Sequence, residues 1–188
     1  MPSARAAFLQ GGDNMYKFFF EKTNILSPRE QSLAAHSLLK RSLAQHFGLD
    51  ADDITIKKDS KGAPFVEGIN GAFVSITHTK GMVACAFADS RVGIDAELIS
   101  ARRNSVENRV FTLNESKLID FSEDENTAFF TLWTLKESWL KAIGTGFAGN
   151  AKDVEFYSLT NPVNSNSDRF SFFTEKQGDF IISVCVEI

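Results

Sequence analysis

The chain has 188 residues, of which 43% are hydrophobic, 18 are phenylalanine and only 4 are proline. That length and composition exclude intrinsic disorder and collagen-like or linker-dominated chains, and fit one compact unit with a substantial core. Twenty basic against 24 acidic side chains leave a formal charge of −4, so the whole-molecule positive field that broad nucleic-acid binding uses is missing.

No apolar run approaches the roughly 18–20 residues that span a bilayer, and the stretch from Met1 to Asn14 has no apolar segment of the secretory kind. The expectation is a cytoplasmic protein with no membrane anchor. Ser27-Pro28-Arg29-Glu30 combines a capping hydroxyl, a proline at the first helical position and a glutamate at the third, which opens a helix. Leu38, Leu39, Leu43 and Phe47 carry its buried stripe until Gly48 stops it. Ile54-Thr55-Ile56 reads as a short strand and Lys61-Gly62-Ala63-Pro64 as a turn. Strands are predicted over Phe73–Thr77, Met82–Ala88 and Val92–Leu98, and their close succession predicts a meander. Helical periodicity covers Arg109–Asp120 and Glu125–Ile143, the second ending at Gly144, and strands return around the polar turn Asn161–Asp168. Cys85 and Cys185 sit in similar apolar strands that close two halves of nearly equal length, and are expected as buried free thiols. The order of elements is α+β, and the halves are expected to be residues 1–90 and 91–188 within one compact unit.

Several side chains are placed for chemistry. Asp95 and Glu97, two apart in a strand, leave the same face and repel unless a cation lies between them. Asp153-Val154-Glu155 repeats the pattern, so spacing alone decides little. Trp133, Glu137 and Lys141 stand at i, i+4 and i+8, on one stripe of a helix. Read together, Asp95, Glu97 and Glu137 make three carboxylates suited to Mg²⁺, which keeps several waters and completes its shell with substrate phosphates; Mn²⁺ suits the same donors. Lys141 is placed to neutralise phosphate charge. Thr77-His78-Thr79-Lys80-Gly81 gathers hydroxyls, an imidazole and an ammonium at a turn, a set of donors for phosphate oxygens. His36 and His46 read as structural. Gly144-Thr145-Gly146 follows a helix instead of preceding one, so it reads as a cap and not a phosphate loop.

In order, Gly62-Ala63-Pro64, Ser75-Ile76-Thr77-His78, Val92-Gly93-Ile94-Asp95-Ala96-Glu97, Arg109-Val110-Phe111 with Glu115, and Trp133-Thr134-Leu135-Lys136-Glu137-Ser138-Trp139-Leu140-Lys141 resemble the 4′-phosphopantetheinyl transferases of the surfactin-synthetase-activating type. The resemblance implies a pseudo-dimer of two similar α/β half-domains with the active site in the cleft between them. It implies transfer of the phosphopantetheine arm of coenzyme A to a serine of an apo acyl or peptidyl carrier protein, leaving adenosine 3′,5′-bisphosphate. By position it makes Asp95, Glu97 and Glu137 the Mg²⁺ ligands and Lys141 and His78 phosphate contacts, with Thr77 in place of the usual serine and Lys136 as the signature lysine of the coenzyme site. Ala63 stands where many relatives have lysine, leaving Lys61 or Lys80 beside Gly62 to supply that cation, and Arg29 and Ser32 are the candidates for the coenzyme's 3′-phosphate.

Carrier proteins of this class are acidic helical bundles, so a basic and apolar docking surface is expected at Arg102, Arg103, Arg109 and Phe111, with a second contact at Phe147. A pseudo-dimer completes its own site, so a monomer is expected. Two other readings stand beside this one: a non-catalytic module that binds coenzyme A or a carrier protein, and a metal-dependent phosphodiesterase or nuclease. The complete set Asp95, Glu97, Glu137 and Lys141 weighs against the first, and the acidic total charge against the second.

Overall fold

Backbone chemistry fixes the element boundaries in this computed structural model, which describes residues 5–11, 14–25, 27–102, 104–145 and 149–188. Two strands that the sequence reading lacks open the chain, β1 (Arg5–Gly11) and β2 (Asn14–Lys22), paired antiparallel. Along β2 the phenylalanines alternate between faces: Phe18 and Phe20 enter the centre of the molecule, and Phe19 faces the helix that follows. That helix, α1 (Pro28–Phe47), has the expected ends. Ser27 caps it by accepting from the Glu30 N–H, and Gly48 ends it in the left-handed region at φ 68°. A small hairpin of β3 (Thr55–Lys58) and β4 (Pro64–Glu67) follows; Asp59 Oδ1 holds its turn by accepting from the N–H groups of Lys61 and Ala63 at 2.8 and 2.9 Å.

The hairpin of β5 (Phe73–Thr79) and β6 (Met82–Ala88) forms as predicted, but the meander stops there. β6 already has β2 on its other edge, so β7 (Val92–Leu98) has no free strand to join on that side. It crosses instead to a second sheet and pairs with β9 (Phe180–Glu187), which pairs in turn with β8 (Phe170–Gln177). The helix predicted over Arg109–Asp120 is two helices, α2 (Asn104–Val110) and α3 (Leu113–Asp120). The break is chemical. Thr112 accepts from the Glu115 N–H while Glu115 accepts from the Thr112 N–H, a reciprocal cap that starts a new helix. α4 (Glu125–Ile143) runs as expected from an Asp124 cap to Gly144.

Strand orders β1-β2-β6-β5 and β7-β9-β8 expose an internal repeat: strand, helix, then a hairpin whose last strand lies in the middle. The fold is α+β with two similar halves. Alternation builds its layers. Met82, Ala84 and Ala86 of β6 meet Ile94 of β7 and Ile182 and Val184 of β9 between the sheets, and Phe18 packs on Phe173 of β8 at 5.7 Å between ring centroids. On the outer faces, α1 covers Val83, Cys85 and Phe87, and α4 covers Ile181 and Cys185. Both cysteines are buried free thiols, and burial pushes Cys85 up to about 12 and Cys185 well above the ordinary thiol range. No described helix is long and apolar enough to cross a membrane.

Candidate active site

The two halves meet at the edge strands β5 and β7. Ser75, Thr77 and Thr79 leave the same face of β5; the Ser75 hydroxyl accepts from the Ile94 N–H at 3.1 Å, Thr77 donates to Asp95 Oδ1 at 3.0 Å, and Thr79 donates to Glu97 Oε2 at 3.2 Å. On the outer side of β7, helix α4 crosses at backbone contact. A Cβ on Gly93 would lie 1.9 Å from the Ser138 carbonyl oxygen and 2.7 Å from the Ala142 nitrogen, so glycine is what lets the helix sit this close. The close crossing brings Lys141 Nζ to 2.7 Å from Asp95 Oδ1 and 2.9 Å from the Ile94 carbonyl oxygen.

A cleft of about 550 Å³ opens along this seam. Trp133, Glu137 and Lys141, the predicted helical stripe, form one wall with Asp95 and Glu97. Facing them are Ser32 and His36 of α1, Lys58, Lys61 and Gly62 around the β3–β4 turn, and Thr77 and His78 of β5. One wall is thus acidic apart from Lys141, and the other carries cations, imidazoles and hydroxyls. Burial raises the Glu137 carboxyl above the usual carboxylate range; Asp95 and Glu97 push it the same way, and Lys141 pulls against them. Burial also lowers the His78 imidazole, helped by Lys141 and His36. Neutral imidazole at His78 is therefore favoured.

Asp95 is 6% exposed, and its Oδ2 has no hydrogen-bond partner among the described residues, while Oδ1 takes both Thr77 and Lys141. A buried carboxylate oxygen left in this state carries a desolvation cost that a cation in the cleft would remove. Among the described residues no three acidic, histidine or cysteine side chains close around a single point. The donor set fits a hard cation that keeps most of its shell for water and substrate oxygens and asks one or two carboxylates of the protein, which is the habit of Mg²⁺.

Several sequence expectations change. Lys136 is fully buried and does not border the cleft: its amine pairs with Glu115 at 2.7 Å and donates to the carbonyl oxygens of Ala151 and Val154 at 2.9 and 2.5 Å. It cross-braces the second half. Arg29 is exposed at the start of α1 and is not among the residues that border the cleft, whereas Ser32 is. Of the expected docking residues, Phe111 is core at 2% exposure, and the Arg102 guanidinium is shared among Glu107, Asp120 and Glu125. Arg109 is exposed, and Arg103 and Phe147 lie outside the described residues. His36, read as structural, borders the cleft, as does Lys58, which the sequence reading passed over; Lys80 does not border it. For His36 the available signal was its spacing of four from Ser32 on the same helix face. The second acid pair is structural: Asp153 bonds Asn150, and Glu155 accepts from Thr112 and Asn114.

The sequence profile of the 4′-phosphopantetheinyl transferase superfamily matches residues 91–185, half of the chain. This chain belongs to that superfamily. It is 34% identical to the 4′-phosphopantetheinyl transferase gsp of Aneurinibacillus migulanus over 119 residues, covering 62% of this chain and 49% of the relative. It is 30% identical to the 4′-phosphopantetheinyl transferase Sfp of Bacillus subtilis over 120 residues, covering 63% of this chain and 54% of the relative. The chain thus spans about half the length of the curated relatives it matches. Among solved structures it is similar to the holo-[acyl-carrier-protein] synthase of Thermotoga maritima, with a TM-score of 0.45 and 22% identity over 52% of this chain and 62% of that one.

Proposed function

We infer that this chain transfers the 4′-phosphopantetheine arm of coenzyme A to a serine of an apo acyl or peptidyl carrier protein, in an Mg²⁺-dependent reaction that leaves adenosine 3′,5′-bisphosphate. The observation that carries the inference is the half-satisfied Asp95. One of its oxygens is fixed by Thr77 and Lys141, and the other is buried without a partner beside Glu97 and Glu137, across a cleft from His78 and Lys61. Such a division suits a substrate whose pyrophosphate bridges an acidic, cation-holding wall and a basic one.

Of the three carboxylates, Asp95 and Glu97 would hold Mg²⁺ and leave Glu137 beside it; the ion when bound would supply positive charge to the pyrophosphate oxygens. The remaining work belongs to the chain. Lys141, anchored on Asp95 Oδ1 and the Ile94 carbonyl oxygen, offers its charge to the pyrophosphate from the second half. His78, Lys61 and Lys58 receive phosphate oxygens from the first half, with Gly62 letting the backbone come close and Ser32 at the nucleotide end. The carrier serine oxygen attacks the phosphorus on the pantetheine side. The bond from that phosphorus to the bridging oxygen breaks, and its electron pair leaves with the nucleotide. Glu137, in the cleft wall beside those two acids, accepts the serine proton. Holding the reactants in line and opposing the developing charge then lower the barrier.

The half-domains are taken as residues 1–90 and 91–188, and since residues of both line one cleft within one chain, the working unit is a monomer; its proposed place of action is the cytoplasm. Intact-mass spectrometry of apo acyl and peptidyl carrier proteins, incubated with this protein, coenzyme A and Mg²⁺, tests the reading. The expected result is a gain of one phosphopantetheine on the carrier, abolished by chelator and by Glu137→Ala. Coenzyme A binding without transfer to any carrier would replace the enzyme with a binding module.

A further inference from the structure

The seam between the halves joins two strands that share no backbone ladder. β5 pairs along its backbone with β6, and β7 with β9, so β5 and β7 lie side by side as two sheet edges without a shared ladder. Side chains join them. Three hydroxyls at every second position of β5, Ser75, Thr77 and Thr79, reach in turn the Ile94 N–H, the Asp95 carboxylate and the Glu97 carboxylate, at 3.1, 3.0 and 3.2 Å. The first of these sets the position of the β7 backbone. The other two engage the side chains of the two acids on the cleft face of β7. Asp95 Oδ1 is clamped from both halves, by Thr77 on one side and Lys141 on the other, and this double clamp fixes the direction of the partnerless Oδ2.

We propose that this hydroxyl ladder is the means by which the first half sets the carboxylate geometry of the second, and that Thr79 is the positioning residue for Glu97. A glutamate has one more rotatable bond than an aspartate, and Glu97, half-buried at the end of β7, is the less enclosed of the pair. Its orientation therefore depends more on an outside partner. Thr79 donates its proton to Oε2 from the other half-domain, so a cation held by these acids is bound only as well as the two halves are docked. Partners that orient a metal ligand are worth about 10–100-fold in metal affinity. The inference rests on the reading of Asp95 and Glu97 as cation ligands.

Mn²⁺ binding to the chelator-stripped full chain, without coenzyme A or carrier, provides the test, with free Mn²⁺ counted by its electron paramagnetic resonance signal. Thr79→Val keeps the shape and removes the hydroxyl, and is expected to weaken Mn²⁺ binding about tenfold. Thr79→Ser restores the donor and is expected to bind as the native chain does. In a Glu97→Gln background, Thr79→Val is expected to cost nothing more, because its effect runs through that carboxylate. Thr77→Val, read the same way through Asp95, stands in should Thr79→Val fail to fold. Native affinity in Thr79→Val, or an equal further loss in the Glu97→Gln background, would overturn the ladder and leave the cation site intact. Absence of Mn²⁺ binding by the native chain would instead overturn the cation site, and the ladder's role with it.

Discussion

Replacing Lys136 by methionine removes the amine that ties α3, α4 and the segment around Val154 together. In the native chain that amine meets Glu115 and two backbone carbonyl oxygens, and both charged side chains are wholly inaccessible to water. Burial pulls the lysine below its ordinary value, and Glu115 draws it back. Methionine fills most of the volume but leaves the Glu115 carboxylate buried with only the Thr112 and Phe156 N–H groups to answer it. Removing one member of a buried pair costs about 3–5 kcal/mol. For a chain of this size each kcal/mol moves the melting temperature by about 2–4 °C, so a fall of roughly 6–20 °C is expected. Adding Glu115→Gln removes the stranded charge and recovers part of the loss. Calorimetry gives the melting temperatures, and isothermal titration at a temperature where all variants are folded gives coenzyme A affinity, which is expected to stay at the native value. A Lys136→Met protein that melts like the native chain but no longer binds coenzyme A would refute the assignment and put this amine in the cleft.

Gly93→Ala is expected to separate α4 from β7, because the added carbon has no room beside the Ser138 carbonyl; a lowered melting temperature together with weakened Mn²⁺ binding is the signature, since Glu137 and Lys141 ride on that helix. Glu137 binds its proton more tightly in the folded chain than in the unfolded one, so its ionisation opposes folding: the stabilising effect of the protonated form is present at low pH and lost as pH rises through the raised value. Glu137→Gln, in chelator, should therefore melt above the native chain at neutral pH, and the difference should vanish below the ordinary value near 4.5; a constant difference at every pH would contradict this. Both thiols should resist a thiol reagent such as dithionitrobenzoate in the native state and react together on unfolding, with fast native labelling of either one contradicting their burial.

Local chemistry makes some features legible in the order of residues alone. The Ser27 and Gly48 ends of α1 and the Gly144 end of α4 are decided by caps within a few residues, and the sequence contains those residues. The side of β7 that carries Asp95 and Glu97, and the stripe Trp133, Glu137, Lys141, follow from the periods of strand and helix. The partner of β7 is not legible in this way, because it depends on β2 having taken the free edge of β6 across a long stretch of chain. Lys136 misleads through its neighbourhood in sequence: one step along a helix turns a side chain by roughly 100°, so the residue beside Glu137 points to the core when Glu137 points to the cleft. Thr112 and Glu115 do carry the break between α2 and α3 in their spacing, hidden beneath a continuous apolar rhythm.

The repeated strand order has a final consequence. The shared strand order makes β2 the counterpart of β7 and β5 that of β8, so the counterpart of the β5–β7 seam is the approach of β8 to β2, where Phe18 meets Phe173. The twins have parted company: one is lined with hydroxyls and acids, and the other is closed by Phe18 against Phe173. Two identical chains meeting around a twofold axis would be obliged to keep both contacts alike, each a compromise between adhesion and chemistry. Written into a single chain, the two are free to specialise. The phenylalanine contact joins the apolar core of the sandwich, and its twin is released to hold an open, charged gap that no fold would tolerate as its only fastening.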